Sequence, residues 1–407
     1  MTLHYQFPII RNISDVLPAI KDRKEFIVAV KDGYTVINYV VAGNDTFPAI
    51  DRDENAAILR ECRGIIFDNE TGRIIARRLH KFFNVGERED MSIDKIDLSR
   101  KHTLPIKLDG SMITPIPLAS GIRWGTKMGI TDVSMQAEEF VADKPNYQKF
   151  AKHITDLGYT PIFEWCSNKQ RIVVSHEEDN LVLLAIRENV TGEYVERPDV
   201  EIEARCFNIP VVKVIPVQSN SSDLLAHIRQ WEDEEGIVIS FGDGHMAKIK
   251  SDWYVRLHKT KDAISSERKV LDLILNGNID DLKPLMEEAD FTTVSRYETQ
   301  VMDEIYQSAA DITNCYWLHF RGKIDRKTFA IQYMRLYPNW AKFIFNLFEA
   351  EGRSDPTKFN ESVAYALVCD DLIKKIKMST SNNKSFDEAK AAFFRKSTYN
   401  YGVNIDD

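Results

Sequence analysis

The feature that most constrains this chain is a single change of character near residue 260. Before it, apolar residues come in short runs separated by turn signals; after it, they recur at helical spacing to the end. Runs of four to eight residues rich in Val, Ile, Tyr and Phe read as strands, whereas apolar positions three and four apart mark one face of a helix. One chain that does first one and then the other is an α+β protein whose sheets and helices are segregated. The sequence therefore predicts an antiparallel-sheet domain over residues 1–260 and an all-helical domain over 261–407, with the boundary among residues 256–264.

The strand half opens with Phe26 to Val30 and Tyr34 to Ala42 around Lys31-Asp32-Gly33, a hairpin signal. Asp51 to Leu59 reads as a short helix or loop. Glu61 to Phe67 leads into the turn Asn69-Glu70-Thr71-Gly72 and returns over Arg73 to Arg78. Further strands are expected at Leu79 to Asn84, Ile122 to Gly129, Tyr159 to Trp165, Arg171 to Val174, Leu181 to Ile186, Ile237 to Phe241 and Met246 to Ile249. Glu138 to Leu157 is expected to be helical, broken around Pro145. Helices are then expected at 266–275, 281–288, 293–318, 325–348, 360–378 and 386–397.

Within the strand half, Lys107-Leu108-Asp109-Gly110-Ser111 places a lysine, a carboxylate, a glycine and a hydroxyl in one turn of backbone. Gly110 lets the backbone pass close to a ligand, and Asp109 and Ser111 can hydrogen-bond locally and hold the turn. A lysine becomes a nucleophile at neutral pH only where burial or nearby cations lower its affinity for a proton. The β-runs supply such company: Arg63, Lys81, Lys127, Lys248 and Lys250 are cations, and Glu164 and Glu235 are carboxylates, set among apolar neighbours. A charge inside an apolar run is costly unless paired, so these residues are expected to converge. Cations together with two glutamates suit a triphosphate with a divalent metal. Displacement at phosphorus needs mainly positioning and neutralised charge. No GxxxxGK[ST] or GxGxxG loop stands where another nucleotide site would need one.

The order of these motifs resembles that of the covalent nucleotidyltransferases, the superfamily of ATP-dependent ligases and capping guanylyltransferases. More narrowly, the blocks Glu61-Cys62-Arg63-Gly64-Ile65, Lys81-Phe82-Phe83-Asn84, Asn168 to Val173, Arg187-Glu188-Asn189, Thr191 to Tyr194 and Lys248 to Val255 resemble the phage RNA ligase 1 family of tRNA-repair enzymes. The resemblance runs from about residue 55 to 285, with an echo at Lys323 to Thr328. It implies an ATP-grasp-like nucleotidyltransferase domain in which Lys107 becomes lysyl-AMP. The nucleotide set would be Arg63, Lys81, Phe83, Asp109, Gly110, Lys127, Glu164, Glu235, Lys248 and Lys250. The same resemblance implies ATP and Mg²⁺ (or Mn²⁺) as cofactors, Glu164, Glu235 and Asp280 as metal ligands, and RNA, in particular tRNA with a broken anticodon loop, as partner. Met128 follows Lys127 where the family has glycine, and the last hundred or so residues match poorly. A DNA ligase or a capping guanylyltransferase shares the core motifs but continues into a β-rich domain, and a non-catalytic RNA-binding or assembly protein could keep the fold.

Charge and cysteines narrow the rest. With 53 basic and 62 acidic residues the net charge is -9, so any contact with a polyanion must be local. Two candidate patches lie in the helical half: Arg321 to Lys327, and Lys374, Lys375 and Lys377 followed by Lys390, Phe393, Phe394, Arg395, Lys396, Tyr399 and Tyr401. Five dispersed cysteines without a Cys-x-x-Cys pair point to reduced thiols rather than disulfides or zinc. No apolar run reaches the ~18 residues of a membrane span, and Met1 to Tyr5 lacks the layout of a signal peptide. A cytoplasmic protein, in the host cytoplasm if viral, with no obligate protein partner is the expectation.

Overall fold

The computed structural model describes residues 6–401 except 44, 51, 52, 54, 168–172, 356, 357, 395 and 400. It divides into two compact units, residues 1–255 and 256–407. The first unit holds thirteen strands among its described residues. They are β1 (Phe26–Val30), β2 (Tyr34–Tyr39), β3 (Arg63–Asp68), β4 (Ile74–Ala76), β5 (Phe83–Asn84), β6 (His102–Lys107), β7 (Ser111–Leu118), β8 (Gly121–Gly125), β9 (Tyr159–Cys166), β10 (Asn180–Glu188), β11 (Val214–Ile215), β12 (Gly236–Phe241) and β13 (Met246–Lys250). They form three sheets, ordered β1-β2-β3-β4, β10-β9-β7-β8 and β11-β6-β12-β13-β5. Every pairing between these strands is antiparallel except β13 with β5.

Position in the sheet explains the burial of each strand. The edge strand β1 alternates, with Phe26 inside and Val28 and Val30 exposed, whereas β2, flanked by β1 and β3, is buried from Tyr34 to Asn38. The second sheet covers a core of Trp124, Phe150, Phe163 and Leu183, to which the helices Asp132–Ala142 and Pro145–Asp156 contribute. The third sheet shares a core with the first through Ile37, Ile65, Phe83, Leu104, Ile237 and Ile249.

Several expectations need correction. Arg171 and Ile172 lie outside the described residues, and Val173 and Val174 form a bend, not a strand, because their amides are taken up by a carboxylate described below. Glu61 ends a short helix, Ala56–Glu61, and the strand starts at Arg63. Two helices, Arg197–Cys206 and Ser221–Arg229, have no counterpart in the sequence reading. The break expected around Pro145 is present: Pro145 occupies the first turn of its helix, where its missing N–H costs nothing, and a separate helix precedes it.

In the second unit the longest helix is Glu288–Cys315, which buries Val294, Tyr297, Val301, Ile305 and Ile312 and passes into a π-helical turn, Tyr316–Phe320. The expected helix over 325–348 is instead broken into short turns up to Leu336; a regular helix resumes only at Ala341–Arg353, after Pro338. Glu361–Ser379 and Asn383–Phe393 complete the bundle, each N-capped by an asparagine side chain, Asn360 and Asn382. No described helix of either unit is long and apolar enough to cross a membrane.

Candidate active site

Sheet register brings the charged residues together. Gly236 pairs with Lys107 on one side and with Lys250 on the other, so both lysines stand on one rung across three strands. The carboxylate of Glu235, the preceding residue, serves both: Lys107 Nζ donates to Oε2 at 2.6 Å, and Lys250 Nζ lies 2.9 Å from Oε1. Only glycine fits at position 236, whose φ is +140° and where a Cβ would lie 2.0 Å from the Ile249 carbonyl oxygen. Past Lys107 the chain leaves the third sheet for the second, and Gly110 presses against β9, where a Cβ would meet the Trp165 carbonyl oxygen at 2.3 Å and Glu164 Cγ at 3.1 Å.

A cavity of about 1020 Å³ opens over this junction, lined by Arg63, Lys81, Lys107, Lys127, Glu164, Lys248 and Lys250 among others. Lys248 pairs with Asn84 of β5 and stands 5.9 Å from the Phe82 ring. Burial, then Lys81, Lys107, Arg63 and Lys250, lower its pKa to about 7. Glu164 is pushed up to about 7, chiefly by burial and partly by Glu235 and Asp109, against the opposing pull of Lys107 and Arg63. Lys107 itself stands against the Glu235 carboxylate. Among the described residues Arg63, Lys81, Lys127 and Lys248 have no ion-pair partner, and Arg63 Nε is buried without an acceptor. Cations left unneutralised around a cavity are what an anionic ligand requires.

Three of the expected residues take other places. The carboxylate of Asp109 faces away from the cavity: it accepts from the amides of Val173 at 2.7 Å and Val174 at 2.8 Å and from the Tyr254 hydroxyl at 2.8 Å. It positions the turn that carries Lys107. Phe83 is a core residue, packed edge-on against Phe47, while Phe82 lines the cavity. The parallel pairing of β5 with β13 sets Phe83 beside buried Ala247 and so assigns the two faces. Asp280 lies in the second unit, on an exposed helical turn, Ile279–Leu282, and pairs with Lys283 at 2.7 Å.

Lys127 sits in a tight turn in which Thr126 and Gly129 exchange backbone hydrogen bonds. Met128 occupies the next turn position, so the extra residue is absorbed without removing Lys127 from the cavity. Tyr39 was missed by the sequence reading. Burial raises its pKa, but Arg63, Lys81 and Lys127 together bring it below the usual phenol value. Lys81 and Lys127 lie 5.4 and 5.2 Å from its ring. Its only sequence signal was a tyrosine at the end of a buried strand.

A second charged cluster braces the site. Arg187 donates to both oxygens of Glu61 at 2.7 and 2.8 Å, and Arg77 Nε donates to Oε2 at 3.1 Å, all three side chains fully buried. Burial alone would raise the Glu61 carboxyl; the two guanidiniums overcome it and hold the group at about 2. Glu61 and Arg187 thereby tie the start of β3, and with it Arg63, to β10.

A divalent ion fits here only in part. Mg²⁺ is usually held by one or two carboxylates together with substrate phosphates and water, and Glu164 and Glu235 are such a pair. Among the described residues no group of three or more His, Cys, Asp or Glu could hold a metal unaided. The fit is to an ion that arrives with a nucleotide.

The family model described as RNA ligase matches residues 61–256. A predicted RNA ligase of Thermovibrio ammonificans is 27% identical over 305 residues, covering 73% of this chain and 77% of the relative. RNA ligase 1 of bacteriophage TS2126 is 24% identical over 235 residues, covering 55% of this chain and 57% of the relative. Among solved structures, an archaeal ATP-dependent RNA ligase is 14% identical, with a TM-score of 0.44, covering 62% of this chain and 64% of that one. The chain thus spans less than two thirds of the phage and archaeal proteins it matches. Through residues 61–256 the chain matches the RNA ligase family model, and over that stretch it is similar to the phage-type RNA ligases.

Proposed function

We propose that the protein is an ATP-dependent RNA ligase that joins a 5′-phosphate to a 3′-hydroxyl, with tRNA cut in its anticodon loop as substrate, in the cytoplasm. The observation that carries this is the cavity in which Lys107 stands among four cations lacking ion-pair partners among the described residues. Arg63, Lys81, Lys127 and Lys248 would take phosphate oxygens of ATP. Lys107 then attacks the α-phosphorus: a P–N bond forms, the bond to the pyrophosphate oxygen breaks, and an amine proton leaves. For this, Lys107 must leave Glu235, whose other partner, Lys250, keeps that carboxylate in place. The AMP passes to an RNA 5′-phosphate, and a 3′-hydroxyl displaces it to close the phosphodiester.

When bound, Mg²⁺ or Mn²⁺ would neutralise phosphate charge beside Glu164 and Glu235. Asp280 is the remaining candidate ligand, by resemblance alone. The test is incubation with radiolabelled ATP and Mg²⁺ followed by a denaturing gel. A labelled band that disappears in Lys107→Ala is expected; labelling by GTP instead, or no labelling, would overturn the reading. Ligation of nicked DNA in preference to a broken anticodon stem-loop would replace RNA with DNA as substrate.

A further inference from the structure

The second unit has a cavity of its own, about 930 Å³, lined by Arg268, Lys269, Lys374 and Lys377, with Ala263, Leu273 and Met378 as its apolar surface. Two helices supply its cations. On Glu267–Leu275, residues 268, 269, 272 and 273 fall on adjoining faces; on Glu361–Ser379, residues 374, 377 and 378 share one face at the i, i+3, i+4 spacing. The only carboxylate among the lining residues, Asp272, already accepts from Thr380 Oγ1 at 2.8 Å, and Arg268 donates to the Thr380 carbonyl at 2.7 Å. Lys269 Nζ donates to the Asp262 carbonyl at 3.1 Å, and neither Lys374 nor Lys377 has an ion pair among the described residues.

Elsewhere in the basic sequence patches, three cations are paired with carboxylates. Arg321 pairs with Glu351 at 2.6 Å, Arg326 with Glu349 at 2.7 Å and Lys390 with Glu267 at 2.6 Å. Lys375 packs over Phe343 and Phe393, and Phe393 and Phe394 are buried. Tyr399 and Tyr401 pack against the same core, and Arg395 lies outside the described residues. Several cations of these patches are thus paired or packed away, while Arg268, Lys269, Lys374 and Lys377 gather around one apolar hollow.

We propose that this hollow binds single-stranded RNA, with phosphates on Arg268, Lys269, Lys374 and Lys377 and a base against Leu273 and Met378. Cations alone would suit any polyanion; the apolar floor with Met378 77% exposed adds a surface that a nucleobase covers and an acidic peptide does not. The inference rests on the reading that RNA is the substrate.

The test uses the full chain and a fluorescein-labelled single-stranded oligoribonucleotide, with affinity measured by anisotropy across a salt series. Removing two phosphate contacts in Lys374→Ala/Lys377→Ala should flatten the log–log salt slope by about 1.4 and weaken binding roughly tenfold at 0.15 M salt. Met378→Ser should weaken binding about threefold with the slope unchanged, since it removes apolar contact only. All three side chains are exposed, and both variants should still form the ATP-derived label on Lys107. Wild-type affinity and slope in both variants would overturn the proposal. So would binding of polyglutamate, lost in the lysine variant, with no RNA binding, which would assign the hollow to an acidic protein. An unlabelled wild-type protein that still binds RNA through these lysines would defeat the ligase reading and leave the hollow's role intact.

Discussion

Replacing Glu61 by glutamine keeps the shape of the buried Arg77–Glu61–Arg187 cluster and removes its negative charge. A carboxyl held at about 2 in place of 4.5 corresponds, at about 1.36 kcal/mol per pH unit, to roughly 3 kcal/mol of stability. That agrees with the ~3–5 kcal/mol lost when one partner of a buried ion pair is removed and the other is left charged. Because the carboxyl is depressed, its contribution is fully present above the unfolded value of 4.5 and is lost as pH falls toward 2. Urea unfolding can be followed by pulsed hydrogen exchange and mass spectrometry, with peptides from β3 and β10 reporting the first unit. With a urea dependence of about 3 kcal/mol per molar, Glu61→Gln should lower the midpoint of those peptides by about 1 M at pH 7. The gap should close progressively below pH 4.5, while peptides from Glu288–Cys315 unfold where they do in wild type. A midpoint shift under about 0.3 M, or one that stays constant from pH 6 to pH 3, would refute the assignment of this cluster as the brace.

Lys248, lowered to about 7, is mostly neutral at pH 8, and a bound triphosphate favours its charged form. Calorimetry of the wild type with a non-hydrolysable ATP analogue, in two buffers of different ionisation enthalpy, should therefore show proton uptake at pH 8 that vanishes by pH 6; Lys248→Met should abolish it. Gly236→Ala places a methyl group 2.0 Å from a strand carbonyl in a backbone conformation that alanine resists, and should cost about 2–4 kcal/mol by thermal unfolding. Tyr254→Phe removes a hydroxyl that donates to Asp109 at 2.8 Å. A loss of roughly 1.5–3 kcal/mol with slowed lysine labelling is expected, and unaltered labelling would show that the Asp109 turn does not need it.

How much of this was legible in the sequence depended on whether chemistry or register decided the outcome. The segregation of strands from helices was legible because periodicity is local. The convergence of Lys107, Glu235, Lys248 and Lys250 was legible because charges in apolar runs demand partners, and β12 and β13 are joined by a turn that leaves few registers. The choice between Phe82 and Phe83 was not, since it depends on β13 lying parallel to β5 from 160 residues away in the chain, a pairing that no local pattern encodes. Asp109 reads as a ligand in sequence because its partners, Val173, Val174 and Tyr254, are all distant. The two missed helices, Arg197–Cys206 and Ser221–Arg229, carry few buried residues each, Val200 and Ala204 in one and Leu224 and Ile228 in the other. Two contacts per helix leave too faint a stripe to read.

The two charged clusters of the first unit follow opposite rules, and the contrast separates frame from site. In the Glu61 cluster two fully buried guanidiniums share one fully buried carboxylate at hydrogen-bond distance, so removing Glu61 leaves two uncompensated cations. Such a cluster keeps its charge state at neutral pH and serves the frame. At the catalytic end of the cavity, Arg63, Lys81, Lys107, Lys127, Lys248 and Lys250 stand with Glu164, which burial holds at about 7, and with Glu235, which serves two of them. That imbalance is costly in the empty protein, and burial relieves part of it by lowering Lys248. The cost is recovered only when an anion enters, so the cavity's electrostatic energy is available for binding instead of folding. A chain with a net charge of -9 can sustain this because screening confines each field to about 8 Å at physiological salt. The acidic surface therefore does not cancel the cavity, and the same locality allows the hollow of the second unit to be cationic in its own right.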